Sequence, residues 1–322
     1  MKNILITSAG KRVSLVKAFQ KELKEIFPNA KVYAADANPK LAAACIAADG
    51  WFEVPRLNSL NYINELITIC LNNSISLIVP TIDTELLILS ENEELLKSNS
   101  IKTVISSKEL IKKCRDKRLI HNFFESKGVE VAKEFSKDEL EFPLFIKPSD
   151  GSRSVDTFVI ENRDDLTEYH FQNEKFMFLE YLNHSEYIEY TCDLYYGNDS
   201  NLKCVVPRKR IEVRDGEVNK GKTENNELVK YIKGKLRVIE GAKGCLTVQF
   251  FIHHKNRRIV GIEINPRFGG GFPLTYLAGG NYPKWIIKEY FLGEKLSYFE
   301  DWEDDLLMLR YDDEILVHGY KE

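Results

Sequence analysis

The first hundred residues alternate between short apolar runs and longer segments whose apolar residues recur at helical spacing. Asn3–Thr7 is a short apolar run, whereas Val13, Val16, Phe19 and Leu23 would line one face of a helix. The predicted strands are 3–7, 31–35, 76–79 and 101–106, and the predicted helices are 12–27, 62–70 and 81–96. Strands that alternate with helices in this way predict a parallel β-sheet with helices on both faces.

The carboxyl ends of these predicted strands are the expected place for a ligand. In an open parallel sheet, ligands bind in the crevice beyond those ends. Lys11 and Arg12 follow the first strand, Asp36 follows the second and Asp83 follows the third. These four side chains are candidates for substrate binding, although each is equally consistent with a helix cap or a solvated loop residue.

The rest of the chain predicts two further units. A helix is expected over 108–128, short strands over 144–147, 157–160 and 176–181, and a late helix over 284–291. Most of the region between residues 183 and 284 is expected to form longer strands with alternating apolar and polar residues. We therefore expect an α/β protein divided into residues 1–110, 111–183 and 184–322.

Composition and charge argue against several classes of protein. The 322-residue chain has a formal net charge of −4 and no cluster of basic residues, which argues against nucleic-acid binding. No apolar stretch reaches the roughly 18 residues of a membrane span, and the N-terminal apolar run is too short for a signal peptide. The six cysteines form no CxxC pair, which favours reduced thiols and a cytoplasmic location.

Two apolar strands that flank a polar turn predict a β-hairpin. The strands are Leu246–Ile252 and Arg258–Asn265, and a turn centred on Asn256 would place Gln249 opposite Glu263. Side chains two residues apart share one face of a strand, so Asn265 should point the same way as Glu263. The prediction is one carboxylate and two amide groups on a single surface.

This surface has the chemistry of a magnesium site, since Mg²⁺ that bridges nucleotide phosphates prefers carboxylate and amide oxygens. Arg267 would continue the same face if the chain stays extended, and its guanidinium could neutralise a transferred phosphoryl group. A half-solvated strand with a polar outer face explains the same alternation, so the pattern alone leaves both interpretations open.

The residues after the hairpin supply two more candidates. Gly269–Gly271 is too glycine-rich for a simple strand end and suggests backbone that approaches a ligand closely. Gly270 is therefore a substrate candidate, together with Arg310, which could return to the site from near the end of the chain.

A second phosphate motif competes with the hairpin. Gly216–Thr223 matches the expression GxxxxGK[ST], but a true phosphate loop follows a buried parallel strand and opens a helix. The segment 207–214 is too charged for such a strand, and the Asp-Gly pair after it favours a hairpin turn. We expect a charged strand and a mobile loop beside the active site, with Arg208 and Arg210 facing a phosphate or an anionic substrate.

The order of these motifs resembles the ATP-grasp superfamily, in particular one synthetase unit of the carbamoyl phosphate synthetase large subunit and its stand-alone relatives. The resemblance covers nearly the whole chain. In that family a Gln, a Glu and an Asn two residues later hold two magnesium ions, and an Arg follows two residues further on. The resemblance implies Gln249, Glu263 and Asn265 as ligands of Mg²⁺, with Mn²⁺ as an alternative, and Arg267 as a catalytic residue.

The resemblance also implies a nucleotide site. Lys117 and Lys147 resemble the lysines that contact the phosphates of ATP. Ser152 lies in a segment that resembles the flap over the phosphates, although this segment has fewer glycines than the family pattern. The remaining ATP-binding candidates are the hinge residues Glu180, Tyr181 and Leu182, whose acidic member would face the adenine amino group, and the ribose-binding Glu189.

The fold and the reaction follow from the same resemblance. Residues 1–110 would form a Rossmann-like pre-grasp domain, 111–183 the lid lobe and 184–322 the large lobe. The implied reaction is ATP-dependent ligation of a small carboxylate to an amine or a thiol through an acyl phosphate, with release of ADP and phosphate. A small-molecule kinase and a non-catalytic nucleotide-binding protein remain alternatives, and homodimerisation is left open.

Overall fold

The computed structural model describes residues 2–151, 156–214 and 216–320. Its N-terminal part is a five-stranded parallel sheet with strand order β3-β2-β1-β4-β5. The strands are β1 (Asn3–Thr7), β2 (Val32–Asp36), β3 (Trp51–Glu53), β4 (Ile75–Pro80) and β5 (Lys102–Thr103). The parallel sheet predicted from the alternating sequence pattern is therefore confirmed, although β5 is shorter than the predicted strand.

Five helices accompany this sheet, namely α1 (Val13–Ile26), α2 (Ala43–Ala47), α3 (Tyr62–Asn72), α4 (Asp83–Glu91) and α5 (Glu93–Ser98). The single helix predicted over 81–96 is in fact α4 and α5, which are separated at Asn92. The Asn92 side chain donates to the carbonyl oxygen of Ile88 at 2.9 Å. Asparagine offers this local alternative to the helical ladder, which is why it favours a helix end.

The helix predicted over 108–128 is also divided into two, α6 (Lys108–Arg115) and α7 (Lys117–Ser126). Asp116 between them is extended, with φ −109° and ψ 119°, and its carboxylate accepts from the backbone N–H groups of Arg118 and Leu119. Asp116 is therefore the N-cap of α7, and this cap fixes Lys117 as the first residue of the helix.

A four-stranded antiparallel sheet follows, with strand order β7-β10-β8-β9. It contains β7 (Glu134–Phe135), β8 (Leu144–Pro148), β9 (Phe158–Ile160) and β10 (Phe176–Glu180), together with the short helix α8 (Glu168–Gln172). The preceding strand, β6 (Glu130–Val131), instead pairs in parallel with the edge of the third sheet. Lys147 lies on β8, opposite Met177 of β10.

The third sheet has seven strands in the order β16-β13-β12-β11-β14-β15-β6. Its other members are β11 (Tyr187–Tyr196), β12 (Leu202–Arg214), β13 (Glu217–Thr223), β14 (Gly244–His253), β15 (Ile259–Asn265) and β16 (Leu307–Leu309). The helices of this part are α9 (Glu227–Lys235), α10 (Phe272–Leu277) and α11 (Tyr282–Ile287). A π-helical turn over Lys288–Leu292 completes the predicted late helix.

The GxxxxGK[ST] segment is a strand. Residues Glu217–Thr223 form β13, which pairs antiparallel with β12, and the Lys222 ammonium contacts Asp305 at 2.6 Å. A phosphate loop must open a helix, so this geometry excludes the phosphate-loop interpretation. The loop that we predicted here is also wrong, because the segment forms regular strand pairing on both of its sides.

Two further expectations concern the cysteines and the membrane. All six cysteines have free thiols, five of them buried. Burial raises the pKa of several of these thiols, for example that of Cys45 and Cys70 to about 12. Among the helices that the structure describes, none is both long enough and apolar enough to cross a bilayer.

Candidate active site

The predicted hairpin forms with the predicted register at its polar end. Gln249 on β14 lies opposite Glu263 on β15, and Thr247 lies opposite Asn265. A bulge after Gln249 shifts the register toward the turn, so that Phe250 pairs with Gly261. The bulge keeps the metal-candidate row in place while it changes the pairing of the residues nearer the turn.

Glu263 and Asn265 share a face of β15, as predicted. The Asn265 side-chain amide donates to a Glu263 carboxylate oxygen at 2.8 Å, and both residues are half-buried, as is Gln249. We name these three residues the hairpin face. Its donor set of one carboxylate and two amides fits a hard cation such as Mg²⁺. Within 2–151, 156–214 and 216–320, no group of three or more His, Cys, Asp or Glu side chains could hold a metal.

The hairpin face is one end of a row that crosses five strands. Gln249 pairs across to Thr191 on β11, Thr191 to Arg208 on β12, and Arg208 to Thr223 on β13. In antiparallel sheets, directly opposite residues are in lateral contact. Arg208 therefore belongs to the same row as Glu263, but it lies deep in the sheet.

Arg208 does not face an open site, which corrects our expectation for it. Its side chain is 1% exposed, and it donates to both carboxylate oxygens of Asp193 at 2.9 and 3.1 Å. Asp193 also accepts from Thr275 at 2.6 Å. A buried guanidinium must be paired in this way because desolvation of an unpaired charge is costly. Arg208 thus stabilises this face of the sheet through its buried ion pair with Asp193.

Arg210 lies beside the predicted ribose ligand. Its Nε is 3.3 Å from a carboxylate oxygen of Glu189, and the Arg210 side chain is 11% exposed. Burial raises the pKa of Glu189, Arg210 opposes that shift, and the negative charge of Glu263 adds to it. Glu189 is therefore electrostatically coupled to the hairpin face.

The two predicted phosphate lysines approach the hairpin face from the second sheet and from α7. Lys147 is buried, and burial together with the nearby Lys117 lowers its pKa to about 8, while Glu263 opposes this shift. Lys117 donates from its ammonium to the carbonyl oxygen of Gly151 at 3.1 Å. Lys147 is thus a desolvated cation whose pKa is lowered despite the opposing charges of Glu263 and Glu134, and a bound anion would favour its charged form.

Sequence reasoning missed His121, which lies one turn after Lys117 on α7. It is buried, and burial together with the charges of Lys147 and Lys117 lowers its pKa to about 4. His121 is therefore neutral at physiological pH, so it adds no charge beside the lysines. Its spacing of four residues from Lys117 was the available signal.

The hinge acid Glu180 forms an ion pair inside the protein. Its carboxylate is held by both terminal nitrogens of Arg258, one of them at 3.0 Å, and it also accepts from the backbone N–H of Lys133 at 3.3 Å. Burial would raise the pKa of Glu180, but Arg258 lowers it below its usual value. The side chain is held in this ion pair, and its proposed place at an adenine amino group stays a prediction. Tyr181 is half-buried and Leu182 is buried.

The predicted flap lies partly outside the described residues. Ser152 is one of the residues that the structure does not describe. Just before the gap, the Lys117 backbone N–H donates to the carbonyl oxygen of Ser149 at 2.7 Å, and Asp150 contacts Lys175 at 2.7 Å.

Arg267 leaves the face of β15 because the chain turns. The strand ends at Asn265, and the Arg267 backbone N–H donates to the Asn265 carbonyl oxygen at 2.8 Å across Pro266. The condition that the chain stays extended is therefore not met. The Arg267 guanidinium instead donates to Asp83 at 2.8 and 3.0 Å, which joins the large lobe to the N-terminal sheet.

Four charged residues from distant segments meet beside this contact, and we name them the cationic pocket. Glu217 lies 3.5 Å from Lys11, 3.6 Å from Arg12 and 3.2 Å from Arg310. Three of the predicted substrate residues are thus brought together, and Gly270 lines the same pocket. Glu217 was not predicted, because the GxxxxGK[ST] match favoured Lys222 as the ligand-binding residue of this segment.

Asp36 and Glu85 position the loop that carries Lys11 and Arg12. Asp36 accepts from the backbone N–H of Gly10 at 3.0 Å, while the buried Glu85 accepts from the Ser8 hydroxyl at 2.7 Å. Ser8 has a left-handed φ of 51°, and its hydroxyl bond to Glu85 helps to hold this conformation. Asp36 therefore supports the loop that carries Lys11 and Arg12, and its role in substrate binding stays a prediction.

Gly269–Gly271 allows side chains to pack directly against the backbone beside the cationic pocket. A Cβ at Gly270 would lie 2.6 Å from the Glu217 carboxyl carbon, and a Cβ at Gly271 would lie 2.1 Å from an Arg208 nitrogen. The glycines do allow a close approach, as predicted, but in this structure the approaching groups are side chains of the protein itself.

The solved structures that are similar to this chain include carboxylases and a synthetase. The biotin carboxylase domain of Hydrogenobacter thermophilus 2-oxoglutarate carboxylase, a dimer in complex with MgADP, ADP and bicarbonate, is 16% identical, with a TM-score of 0.73; 95% of this chain and 73% of that chain are covered. N5-carboxyaminoimidazole synthetase from Staphylococcus aureus is 18% identical, with a TM-score of 0.69, over 92% of this chain and 78% of that one.

Rhizobium etli pyruvate carboxylase is also similar, at 18% identity and a TM-score of 0.66. This chain covers only 27% of that protein, with 87% of its own length matched. No curated protein sequence is significantly similar to this chain. The parallel N-terminal sheet, the two further sheets and these likenesses define the fold as that of the ATP-grasp proteins, with a preceding Rossmann-like domain.

Two family models match separate parts of the chain. Residues 4–105 match the family described as PylC-like, N-terminal domain. Residues 172–313 match the family described as ATP-grasp in the biosynthetic pathway with Ter operon. Lys117 and Lys147 lie between the two matched ranges, whereas the hairpin face lies inside the second.

Proposed function

We propose that the chain is an ATP-dependent, ADP-forming ligase that activates a small carboxylate as an acyl phosphate and passes the acyl group to an amine or a thiol. The observation that carries this proposal is the position of the buried Lys147, whose ammonium lies within electrostatic reach of both the Glu263 carboxylate and the Lys117 ammonium. The three groups come from different elements, and together they offer both signs of charge that a metal-bound triphosphate needs.

In this proposal, Lys147 and Lys117 bind phosphate oxygens of ATP. The pKa of Lys147 near 8 reflects burial of its ammonium, and an anion next to it would restore the charged form. Magnesium, or manganese in its place, would be held by Gln249, Glu263 and Asn265. The metal would neutralise charge on the phosphates. Glu189 would accept from the ribose hydroxyls, and backbone groups of Tyr181 and Leu182 would read the adenine.

Arg267 is proposed to stabilise the transferred phosphoryl group. It lies at the contact between the hairpin and the N-terminal sheet, where its partner Asp83 fixes the guanidinium. A positioned cation stabilises developing charge without needing to reorganise during the reaction. The substrate carboxylate attacks the γ-phosphorus, the bond to the β–γ bridging oxygen breaks, and ADP leaves. The nucleophile then attacks the acyl carbon and releases phosphate.

Arg210 is proposed to support the nucleotide site through Glu189, which it contacts at 3.3 Å. We also propose, from the spacing of Gln249, Glu263, Asn265 and Arg267, that the site resembles one unit of a carbamoyl phosphate synthetase. The three units 1–110, 111–183 and 184–322 remain our proposed domain division. Small-molecule substrates and a cytoplasmic location are proposed with it.

The test is a screen of carboxylic acids with MgATP and hydroxylamine, in which ADP release and hydroxamate formation are both measured. We expect ADP and a hydroxamate to form together and only with an accepted acid. Lys147→Met should abolish both products, and Lys137→Met, which replaces a lysine of the same lobe, should not. AMP and pyrophosphate as products would contradict the proposal, and a stable phosphorylated product without any nucleophile would favour a kinase.

A further inference from the structure

We propose that the activated substrate is a dianion, namely a small carboxylic acid with a second anionic group that Lys11, Arg12 and Arg310 bind. This inference rests on the proposed function, because it assigns the substrate of that site. The second group would be a carboxylate or a phosphate. Glu217 is the carboxylate that the three cations contact in this structure, and the substrate anion would compete with it.

The three cations converge on one carboxylate from separate parts of the chain. Their distances to Glu217 are 3.5 Å for Lys11, 3.6 Å for Arg12 and 3.2 Å for Arg310. A single glutamate needs one partner to be neutralised, so three cations around it are more than a structural ion pair requires. The excess positive charge is suited to a bound anion.

The cations are held on fixed backbone. Arg310 donates from its guanidinium to the Val218 carbonyl oxygen at 3.2 Å, and its backbone N–H donates to Asn219 at 3.0 Å. The Arg12 backbone N–H donates to Ala9 at 2.8 Å at the start of α1. Cations that are positioned before binding lose little conformational entropy when an anion arrives.

The charge balance of the region points to two negative groups. The cations are Lys11, Arg12, Arg267 and Arg310, and the carboxylates ion-paired with them are Glu217 and Asp83. A further carboxylate near Arg310, that of the exposed Asp312, is balanced by its own partner Arg214. Four positive charges and two negative charges leave a formal excess of two. Burial is the main cause that lowers the pKa of Arg12; Arg267 and Arg310 add to this shift, whereas Glu217 and Asp83 oppose it.

The position of Arg267 indicates which anionic group of the substrate is activated and which one is only bound. Arg267 lies next to Arg12 and also follows the hairpin face along the chain. A carboxylate near Arg267 would be in place for activation, while the second anionic group would lie at Lys11, Arg12 and Arg310. A monoanionic acid could occupy only one of these two positions.

The experiment compares acids in matched pairs. Succinate is compared with butyrate, glutarate with valerate, and 3-phosphoglycerate with glycerate, each by calorimetric binding and by the hydroxylamine assay with MgATP. We expect at least one dianion to bind on the order of tenfold to a hundredfold more tightly than its partner, because charge-assisted hydrogen bonds have this strength. The phosphate pair distinguishes a phosphorylated acid from a dicarboxylic acid.

Three variants test the residues. Arg310→Ala should reduce the dianion preference roughly tenfold. Lys220 lies on β13, the strand of Glu217, but its ion-pair partner is Glu212, outside the pocket. Lys220→Ala should therefore leave the dianion preference intact. Glu217→Gln should strengthen dianion binding, because it removes the competing carboxylate. Weaker binding of a zwitterionic amino acid to Glu217→Gln, with no dianion preference, would overturn the inference in favour of ammonium recognition.

The two proposals fail in different ways. If monoanionic acids release ADP and form hydroxamate as well as their dianionic partners do, the substrate inference is wrong and the ligase stands. If dianions bind preferentially in the wild type but no acid gives ADP or hydroxamate, the ligase proposal is wrong and the anion site stands. Absence of any dianion preference in binding overturns the inference by itself.

Discussion

The hairpin face and the cationic pocket are built in opposite ways. Gln249, Glu263 and Asn265 lie on two adjacent strands joined by a short turn, so local pairing places them. The cationic pocket joins a loop after β1, a strand near the middle of the chain and a residue after the last strand. Strand alternation can therefore locate the first site, whereas only tertiary contacts assemble the second.

The largest effect is expected where the two regions share support. Asp193→Ala would leave the buried Arg208 guanidinium unpaired, and Arg208 lies both next to Gly271 and in the same row as Gln249. We expect the free energy of unfolding to fall by about 3–5 kcal/mol. Chemical denaturation followed by circular dichroism measures it. Asp312→Ala, which removes an exposed partner of Arg214, is the control, and an equal loss there would contradict the prediction.

A second prediction breaks the hairpin face alone. Glu263→Gln keeps the shape of the side chain but removes the only carboxylate of that face. We expect the rate of ADP formation to fall by roughly a hundredfold to a thousandfold, as when one group that stabilises transition-state charge is lost. Binding of the acid in the cationic pocket should stay close to wild type. Glu212→Gln, which alters an exposed partner of Lys220, should change neither quantity.

A third prediction breaks the cationic pocket alone. Gly270→Ala would place a Cβ 2.6 Å from the Glu217 carboxyl carbon, so the carboxylate must move. We expect KM for the acid to change by about tenfold, the scale of a modest overpacking cost, while KM for ATP is retained. Gly234→Ala is the matched control, because a Cβ there meets nothing within 4 Å. A parallel change in both KM values would show that the two regions are not separable.

The smallest expected effect is a change in the protonation of Lys147 when ATP binds. The pKa of Lys147 is about 8, because burial and Lys117 disfavour its charge. A bound triphosphate favours the charged form and raises this pKa, so ATP binding at about pH 8.5 should take up protons. Calorimetry in buffers of different ionisation enthalpy measures this uptake. Lys147→Met should abolish it, and proton release in the wild type would contradict the prediction.

Most of the fold could be predicted from the sequence, since its strands and helices have clear periodicity. Two of the errors fell at Asn92 and Asp116, where a helical pattern continues through a polar residue that ends one helix and begins another. Hydrophobic periodicity does not distinguish one long helix from two shorter helices in line. The capping hydrogen bonds of Asp116 and Asn92 decide the break.

The site could be predicted only in part, for a related reason. The charged strand suggested Arg208, and the family resemblance suggested Glu180, as ligand-facing groups, yet both form ion pairs inside the protein. A charged residue on a strand has the same sequence signature whether it meets a ligand or a buried counterion. The difference depends on which distant side chain reaches it, and the sequence pattern carries no information about that distance.

The sequence by itself determined the alternating sheet, the hairpin and the position of Gln249 opposite Glu263, because these depend on neighbours along the chain and on strand periodicity. Tertiary structure alone decided that Arg267 contacts Asp83, that Arg208 is buried against Asp193, and that Glu217 gathers three cations. These contacts join residues far apart in the chain, and burial of the surrounding apolar surface brings them together.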